Sequence, residues 1–246
     1  MSISLSRRSL FAMVASCPLC ARAFAAEADS CIPGQQQSPI VLGPGVAVKA
    51  DVPMPEIVHE AMPFDVKPEA GTFKCYPTKP GNKLTIGGVE YKLKEFHFHH
   101  PAEHKMPNDP YQMECHLVHE PADPVEPCAP VQYAVIAVFF SPGRILNKAL
   151  SPVWRKIKPN TEGGVTANPV DLRHLVPNKE RRTPVYRYMG SLTTGDEVAK
   201  EGIMWTIFEK PVEAFQLQID QFTRNYPVNA RKTRPLYRRF LLAKTR

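Results

Sequence analysis

The segment EFHFHHPAEH, residues 95–104, carries four histidines and two glutamates in ten positions. Side chains alternate between the two faces of a β-strand, so a strand here directs Glu95, His97 and His99 to one face. The phenylalanines between them would point to the other face. Two imidazole rings two positions apart on a strand can bind one metal ion. The segment therefore supplies two candidate metal ligands, and a third must come from another element.

A second strand-like run, MECHLVHE at residues 113–120, offers His116 with Glu114 on its own face. Three neutral imidazoles leave one coordination position open, which is typical of catalytic zinc. The glutamates favour the same kind of site, because a metal-bound histidine usually donates its second N–H group to a carboxylate or a carbonyl. The spacing of His97, His99 and His116 thus favours a zinc site over isolated histidines.

The elements that hold these residues are predicted to be strands. Residues 82–99 contain two β-rich runs around Gly87 and Gly88, which is the signature of a hairpin. One helix is predicted over residues 212–224, where the apolar residues follow a helical period. Three further runs indicate strands: MECHLVH (113–119), YAVIAVFF (133–140), which is apolar enough to be buried on both faces, and GIMWTIFEKPV (202–212).

Composition favours a loop-rich β protein. The chain has 246 residues, of which 43% are hydrophobic and 22% charged, so it can build a sizeable core. Its 26 prolines are spread between apolar segments, which indicates long loops and not disorder. We predict a mostly β fold for residues 26–246, a single domain built on a large, mainly antiparallel twisted sheet with long loops and a few short helices.

Residues 1–25 have the features of a signal peptide: a basic start, a short apolar stretch and small residues at the end. The segment SRRSLF resembles a twin-arginine export signal, whereas VASC at residues 14–17 would suit a lipoprotein cleavage site. The apolar run is too short to span a bilayer, and no later segment comes close. We expect cleavage after Ala25 and a periplasmic or secreted protein with no membrane span.

The net charge limits which classes of binding partner are expected. Removal of residues 1–25 leaves 28 basic and 24 acidic side chains, so the net charge falls from +7 to +4. The basic C-terminal tail is similar to a surface that binds nucleic acid, but export separates the protein from nucleic acid, and we expect a solvated face instead.

Four cysteines remain after removal of residues 1–25, and an oxidising compartment permits disulfides. We expect a Cys31–Cys128 bond, because Cys75 and Cys115 lie within predicted strands.

The sequence resembles the α-type carbonic anhydrases, and their exported bacterial members most closely. The resemblance covers nearly the whole chain after the signal peptide. Any one matching segment is weak evidence, but five occur in the family's order and with matching spacing. They are QQSPI (36–40), FHFHHPAEH (96–104), MECHLVH (113–119), GSLTT (190–194) and NARKTRPLYRR (229–239).

The resemblance implies roles for individual residues. Glu114 would orient His116, and Glu103 would accept the hydroxyl proton of Thr193, so that Thr193 can only accept a hydrogen bond from the nucleophile. The zinc ligands would be His97, His99 and His116. The pocket that holds carbon dioxide would be formed by Val118, Val135, Leu192, Thr194 and Trp205. Three positions are expected to serve packing and hydrogen bonding alone: His104, His119 and Tyr188.

The implied activity is the zinc-dependent, reversible hydration of carbon dioxide to bicarbonate and a proton, with a metal-bound hydroxide as the nucleophile. The implied cofactor is Zn²⁺ and the implied partner is this small-molecule substrate, while monomer and homodimer both remain open. A non-catalytic relative that binds a partner is one alternative, but it would lack a metal histidine and none is missing. A periplasmic zinc-binding protein is another, but its histidines would lie on a flexible loop.

The chain departs from the family pattern in two places near the site. Glu95 stands where the family usually has glutamine, and a carboxylate raises ligand basicity, so we expect a less acidic metal-bound water. Gly71 stands where the family has a proton-shuttling histidine. Lys74 is a poor substitute because its ordinary pKa is about 10.4, which leaves Glu60 and His59 as the next residues to consider. We therefore expect proton release to depend on buffer.

Overall fold

The hairpin predicted around Gly87 and Gly88 is present in the computed structural model, where Lys83–Ile86 and Val89–His99 pair antiparallel. Both glycines have a positive φ, 58° and 82°, which the tight turn requires and other residues rarely adopt. The structure describes residues 34–69, 71–107, 111–126, 129–157, 163–166, 168–195 and 199–245.

Strands dominate the described residues, as the composition and alternation predict. Twelve strands join one sheet: β1 (Val48–Lys49), β2 (Glu56–Val58), β3 (Phe64–Glu69), β4 (Thr72–Pro77), β5 (Lys83–Ile86), β6 (Val89–His99), β7 (Met113–Pro121), β8 (Tyr133–Gly143), β9 (Gly164–Val165), β10 (Val185–Ser191), β11 (Glu201–Phe215) and β12 (Leu242–Lys244). The helices are α1 (Leu150–Trp154), α2 (Gln216–Asn225) and two 3₁₀ turns, Leu172–Leu175 and Lys179–Arg181.

The sheet is large, twisted and mainly antiparallel, which confirms the predicted fold class. Its strand order is β1-β12-β10-β11-β8-β7-β6-β4-β3-β9, and β5 and β2 extend it from β6. Two pairs are parallel, β1 with β12 and β8 with β11. The strands that carry the predicted site residues, β6, β7, β8, β11 and β10, are therefore consecutive neighbours at the centre of the sheet.

Alternation along β6 divides the core into two faces. Phe96 and Phe98 are fully buried on one face, and their ring centroids lie 5.9 Å apart. Trp154 of α1 and Phe222 of α2 pack against Phe98, so both helices cover this face. Each buried phenylalanine contributes about 1.5–3 kcal/mol to stability. The other face carries the predicted site residues and an apolar cluster around Trp205.

The helix predicted over residues 212–224 begins later than expected, at Gln216. The strand β11 continues through Phe215 because Val212 and Ala214 pair with β8, and Ala214 is fully buried there. A helical period in the sequence does not exclude a strand when a neighbouring strand offers hydrogen bonds and a buried position.

Cys75 and Cys115 are buried free thiols on β4 and β7, in agreement with their predicted strand positions. The Cys31–Cys128 bond and the signal peptide of residues 1–25 lie outside the described residues and stay predictions. Within the described ranges, neither helix combines the length and the apolar character that crossing a membrane requires.

Candidate metal centre

The register of β6 and β7 brings the three proposed metal ligands together. His97 lies directly opposite His116, and His99 lies opposite Glu114. The centroids of the three imidazole rings are 4.7, 4.9 and 5.2 Å apart. One nitrogen of each ring lies within 4.8 Å of the other two, and all three side chains are buried. The three rings therefore form one compact cluster of nitrogen donors.

Three ring nitrogens of this cluster have no hydrogen-bond partner among the described residues: His97 Nε2, His99 Nε2 and His116 Nδ1. Buried polar atoms are normally paired because leaving them unpaired is costly. Burial lowers the pKa of His99 well below its ordinary value and that of His116 to about 4. These rings are thus neutral at pH 7, which is the form that binds a metal. The residues fit a zinc ion with three imidazole ligands.

The opposite nitrogen of each ring is held by an acceptor. His97 Nδ1 lies 2.9 Å from a carboxylate oxygen of Glu95, and His116 Nε2 lies 2.9 Å from Glu114 Oε1. His99 Nδ1 lies 3.4 Å from a backbone carbonyl oxygen in the C-terminal segment. These acceptors favour the tautomer in which the unpartnered nitrogen carries the lone pair. Each ring is therefore oriented for a ligand before any ion binds.

A second group of potential ligands, His104, Glu114 and His116, has a different character. His104 Nδ1 lies 2.6 Å from Glu114 Oε1, and His104 Nε2 lies 2.8 Å from the hydroxyl oxygen of Tyr188. Glu114 Oε2 accepts hydrogen bonds from two backbone N–H groups. The interaction of Glu114 with His104 and His116 holds its pKa well below the ordinary value even though burial opposes ionisation. This group is a hydrogen-bonded support for His116.

Glu103 is fully buried beside the histidines. Its Oε1 lies 3.4 Å from His99 Nδ1 and accepts a 2.7 Å hydrogen bond from the backbone N–H of Arg231. Burial raises the pKa of Glu103 to about 8, although hydrogen bonding with Thr193 and Arg231 opposes the rise. Glu103 Oε2 has no close partner among the described residues. Thr193 is thus a near neighbour of this carboxyl group, and the Thr193–Glu103 hydrogen bond stays a prediction.

The loop that carries Thr193 is fixed at its base by close packing. A Cβ atom on Gly190 would lie 2.1 Å from Ser38 Oγ, so only glycine fits there. Ser38 Oγ accepts the backbone N–H of Ser191 at 3.0 Å, and Trp205 Nε1 donates to the Ser191 carbonyl oxygen at 3.0 Å. The Ser191 hydroxyl oxygen also accepts the backbone N–H of Ser38 at 2.9 Å. The close packing requires glycine at 190, and the hydroxyl group of Ser191 ties the loop to the QQSPI segment.

A cavity of about 110 Å³ lies beside the histidine cluster, and His97, His116, Glu95 and Thr193 line it. The structure places all five residues of the expected carbon dioxide pocket in its wall: Val118, Val135, Leu192, Thr194 and Trp205. Three of these form one row across the sheet, because Val135 pairs with Val118 on one side and with Trp205 on the other.

Sequence reasoning missed the role of β4 at the rim of this cavity. Lys74 and Tyr76 line the cavity together, since they lie two positions apart on one face of the strand. Tyr76 donates a 2.7 Å hydrogen bond to Glu69 Oε1, and Lys74 Nζ lies 2.9 Å from Glu69 Oε2. The signal was available, because the strand period that places His97 on the site face also applies to β4.

Of the residues considered for proton transfer, Lys74 lines the cavity, whereas Gly71, His59 and Glu60 are not among its lining residues. Gly71 lies in the turn between β3 and β4 with a φ of 77°, so a histidine introduced there would be strained. His59 is buried at another position, and burial lowers its pKa to about 4. Neither residue, nor Glu60, is among the cavity-lining residues that the structure describes. The proposal that Glu60 or His59 carries the proton therefore has no geometric support.

Comparison with known proteins gives one family. A family model described as eukaryotic-type carbonic anhydrase matches residues 22–242. A carbonic anhydrase of Neisseria gonorrhoeae is 32% identical over 207 residues, which cover 84% of this chain and 75% of that protein. In structure, the chain is similar to the α-carbonic anhydrase of Thermovibrio ammonificans in complex with the inhibitor sulfanilamide, with a TM-score of 0.73, 31% identity and coverage of 85% and 87%. It is also similar to an α-carbonic anhydrase of Photobacterium profundum, with a TM-score of 0.74, 25% identity and coverage of 90% and 95%.

Replacing His99 with alanine removes one of the three unpartnered nitrogens. We expect His99→Ala to lose the zinc that the parent protein binds at one ion per chain, measured by inductively coupled plasma mass spectrometry after dialysis against metal-free buffer. His100→Ala is the matched control, because the neighbouring His100 ring lies 2.9 Å from the Gln112 carbonyl oxygen and outside the cluster. Full zinc in the His99 variant, or loss of zinc in the control, would contradict the assignment.

Proposed function

Because this chain belongs to the eukaryotic-type carbonic anhydrase family and catalyses the reversible hydration of carbon dioxide, we propose that His97, His99 and His116 bind the zinc ion on which the reaction depends. The observation that carries the proposal is the set of three buried ring nitrogens without partners beside an apolar cavity. Bound zinc supplies the Lewis acidity that makes water a nucleophile near neutral pH. The chain's own residues orient the ligands, the nucleophile and the substrate.

Two carboxylates would hold zinc ligands in place. Glu95 is 6% exposed and contacts the ring of His97, while the fully buried Glu114 contacts the ring of His116. A carboxylate acceptor makes an imidazole more basic than a neutral amide would, and so strengthens its bond to a metal. We infer that Glu95 contributes to zinc affinity in this chain.

Thr193 would orient the attacking water. When its hydroxyl group donates to Glu103, only its oxygen lone pairs are left for the water, which must then donate to Thr193. This single arrangement would direct a lone pair of the water towards carbon dioxide. The support is the buried Glu103 carboxyl group, whose Oε2 is without a close partner beside Thr193.

The apolar wall would hold carbon dioxide. The substrate carries no net charge and donates no hydrogen bonds, so it favours apolar surface over water. Val118, Val135 and Trp205 have at most 4% of their surface exposed and supply such a surface next to the histidines. Because β-pairing fixes them in one row, the wall is rigid, and the bicarbonate product is favoured in water over the apolar wall.

One proton must leave the site in each turnover, and the rim residues are poorly suited to carry it. Burial and the hydrogen bond to Glu69 raise the pKa of Tyr76. Burial alone would raise the pKa of Glu69, but the hydrogen bonds from Tyr76 and Lys74 lower it. Neither group therefore exchanges protons readily near pH 7. Beyond the proposed ligands, no histidine is among the described cavity-lining residues, so we infer that buffer carries the proton.

The three clustered histidines do not suit a metal-storage role. His97, His99 and His116 are buried on β6 and β7, whereas a storage site would need exposed and mobile ligands.

We further propose that residues 1–25 are a signal peptide that exports the protein to the periplasm or the medium. The support is the basic, apolar and small-residue pattern of that segment.

The contribution of Glu95 can be measured as zinc affinity. Glu95→Gln keeps the shape of the side chain but removes its charge, and we expect the dissociation constant for zinc to rise roughly 10-fold. Competition with a fluorescent chelator measures this without an activity assay. Glu90→Gln is the control, because Glu90 is on the same strand but pairs with Lys83 at the surface. Unchanged affinity in Glu95→Gln would contradict the inference.

The role of Thr193 predicts a loss of turnover without a loss of metal. We expect Thr193→Ala to lower kcat/KM for carbon dioxide hydration about 10²-fold, because one preorganised hydrogen bond is removed. Stopped-flow assays measure the rate and metal analysis confirms the zinc. Thr193→Ser keeps the hydroxyl group and should retain most of the activity. Equal activity of the alanine variant and the parent would rule out this role.

The described rim residues offer no suitable proton carrier, which predicts buffer-limited turnover. At low buffer concentration, added imidazole should raise kcat roughly 10-fold or more, because its pKa near neutrality allows it to accept and release the proton. The value of kcat/KM should stay constant, since it reports the hydration step. Stopped-flow measurements over a range of imidazole concentrations at constant ionic strength check both. A high kcat that does not respond to imidazole would show that a residue carries the proton.

A further inference from the structure

Arg187 is a buried arginine on the face of the sheet opposite the cavity. It lies on β10 between Tyr186 and Tyr188, which both belong to the apolar cluster on the cavity face. Side chains alternate along a strand, so Arg187 points to the other face. Only 7% of the residue is exposed. A guanidinium group in this position has lost most of its hydration.

The hydrogen bonds that Arg187 makes to the protein do not replace the hydrogen bonds to water that it loses on burial. Its Nε donates a 3.3 Å hydrogen bond to Thr206 Oγ1. Its Nη2 is buried and has no hydrogen-bond partner among the described residues. Burial lowers the pKa of Arg187, and the one acidic group that acts on it electrostatically is the hydroxyl group of Tyr91. No carboxylate of the described part of the chain pairs with this arginine.

Arg239, another partly buried arginine of the same chain, shows how a guanidinium group is usually stabilised by acceptors from the protein. The Arg239 guanidinium donates to four backbone carbonyl oxygens, those of Leu236, Met189, Gln37 and Pro235, at distances of 2.8 to 3.1 Å. The fold thus supplies acceptors to a guanidinium group whose role is structural. Arg187 has one neutral acceptor and no anionic partner, although it is permanently charged.

We propose that Arg187 binds a small inorganic anion, of the class that includes chloride and bicarbonate, at a site separate from the catalytic cavity. A buried charge is stable when it is paired, and the described residues offer Arg187 no counter-ion. The planar guanidinium group presents N–H donors that suit a halide or a small oxyanion. Thr206 adds a hydroxyl group at the same guanidinium, and the low exposure of Arg187 restricts the site to small anions.

The first test is the stability increment that an anion gives. An anion that binds the native state alone raises the melting temperature, by roughly 3 °C at a tenfold excess over its Kd. We expect this increment for the zinc-loaded parent when chloride or bicarbonate replaces gluconate at constant ionic strength. Arg187→Met should show a smaller increment, because it loses the part that this site contributes, whatever its starting melting temperature. Anion binding at the catalytic site is common to parent and variant, and so it cancels in the comparison.

Arg182→Met is the matched control for the removal of a positive charge. Arg182 is half-buried, and its Nε already donates to the Pro177 carbonyl oxygen at 3.1 Å. This variant should keep the increment of the parent. An equal increment in parent and Arg187→Met, or no increment in the parent, overturns the proposal.

The second test locates the anion directly and does not depend on the folding of any variant. Crystals of the zinc-loaded protein grown with bromide in place of chloride should show an anomalous bromide peak within hydrogen-bonding distance of Arg187 Nη2. A water molecule at that position, or no density there, overturns the proposal. A peak at Arg187 together with the smaller increment in Arg187→Met would establish the site.

Discussion

The register between β6 and β7 is the constraint on which the site depends. It sets His97 opposite His116 and keeps His99 two positions further along β6, on the same face, so three imidazoles converge there. The register is fixed from the other side of the sheet, where Phe96 and Phe98 are fully buried under the helices. A slip of one residue would move the histidines into the aromatic core and the phenylalanines to the cavity. Aromatic packing therefore positions the metal-binding residues.

A second layer of contacts connects the centre to distant parts of the chain. Glu103 accepts a hydrogen bond from the backbone of Arg231, and the Arg231 guanidinium donates to Gln37 and to the Ser38 carbonyl oxygen. The C-terminal segment, the early QQSPI segment and the glutamate beside the proposed zinc ligands thus form one partly buried network. Such networks favour one arrangement because an unpaired member is costly in a region of low dielectric constant.

Features that depend on alternation along one strand could be predicted from the sequence. Features that depend on pairing between strands far apart in the chain could not. The alternation at His97 and His99 was enough to place both rings on one face. The parallel pairing of β8 with β11, which sets Val135 beside Trp205, depends on strands far apart in the chain and has no local signal. For the same reason the boundary of α2 was wrong, and the unmatched charge of Arg187 became visible only once its neighbours were known.

The central claim is that the unpartnered nitrogens of His97, His99 and His116 are the metal-binding atoms. Diffraction data collected on both sides of the zinc absorption edge, from crystals of the zinc-loaded protein, test it most directly. We expect one anomalous peak at about 2.0–2.1 Å from His97 Nε2, His99 Nε2 and His116 Nδ1. A zinc ion bound instead by His104 and Glu114, or bonded to the nitrogen of His97 that faces Glu95, would contradict it.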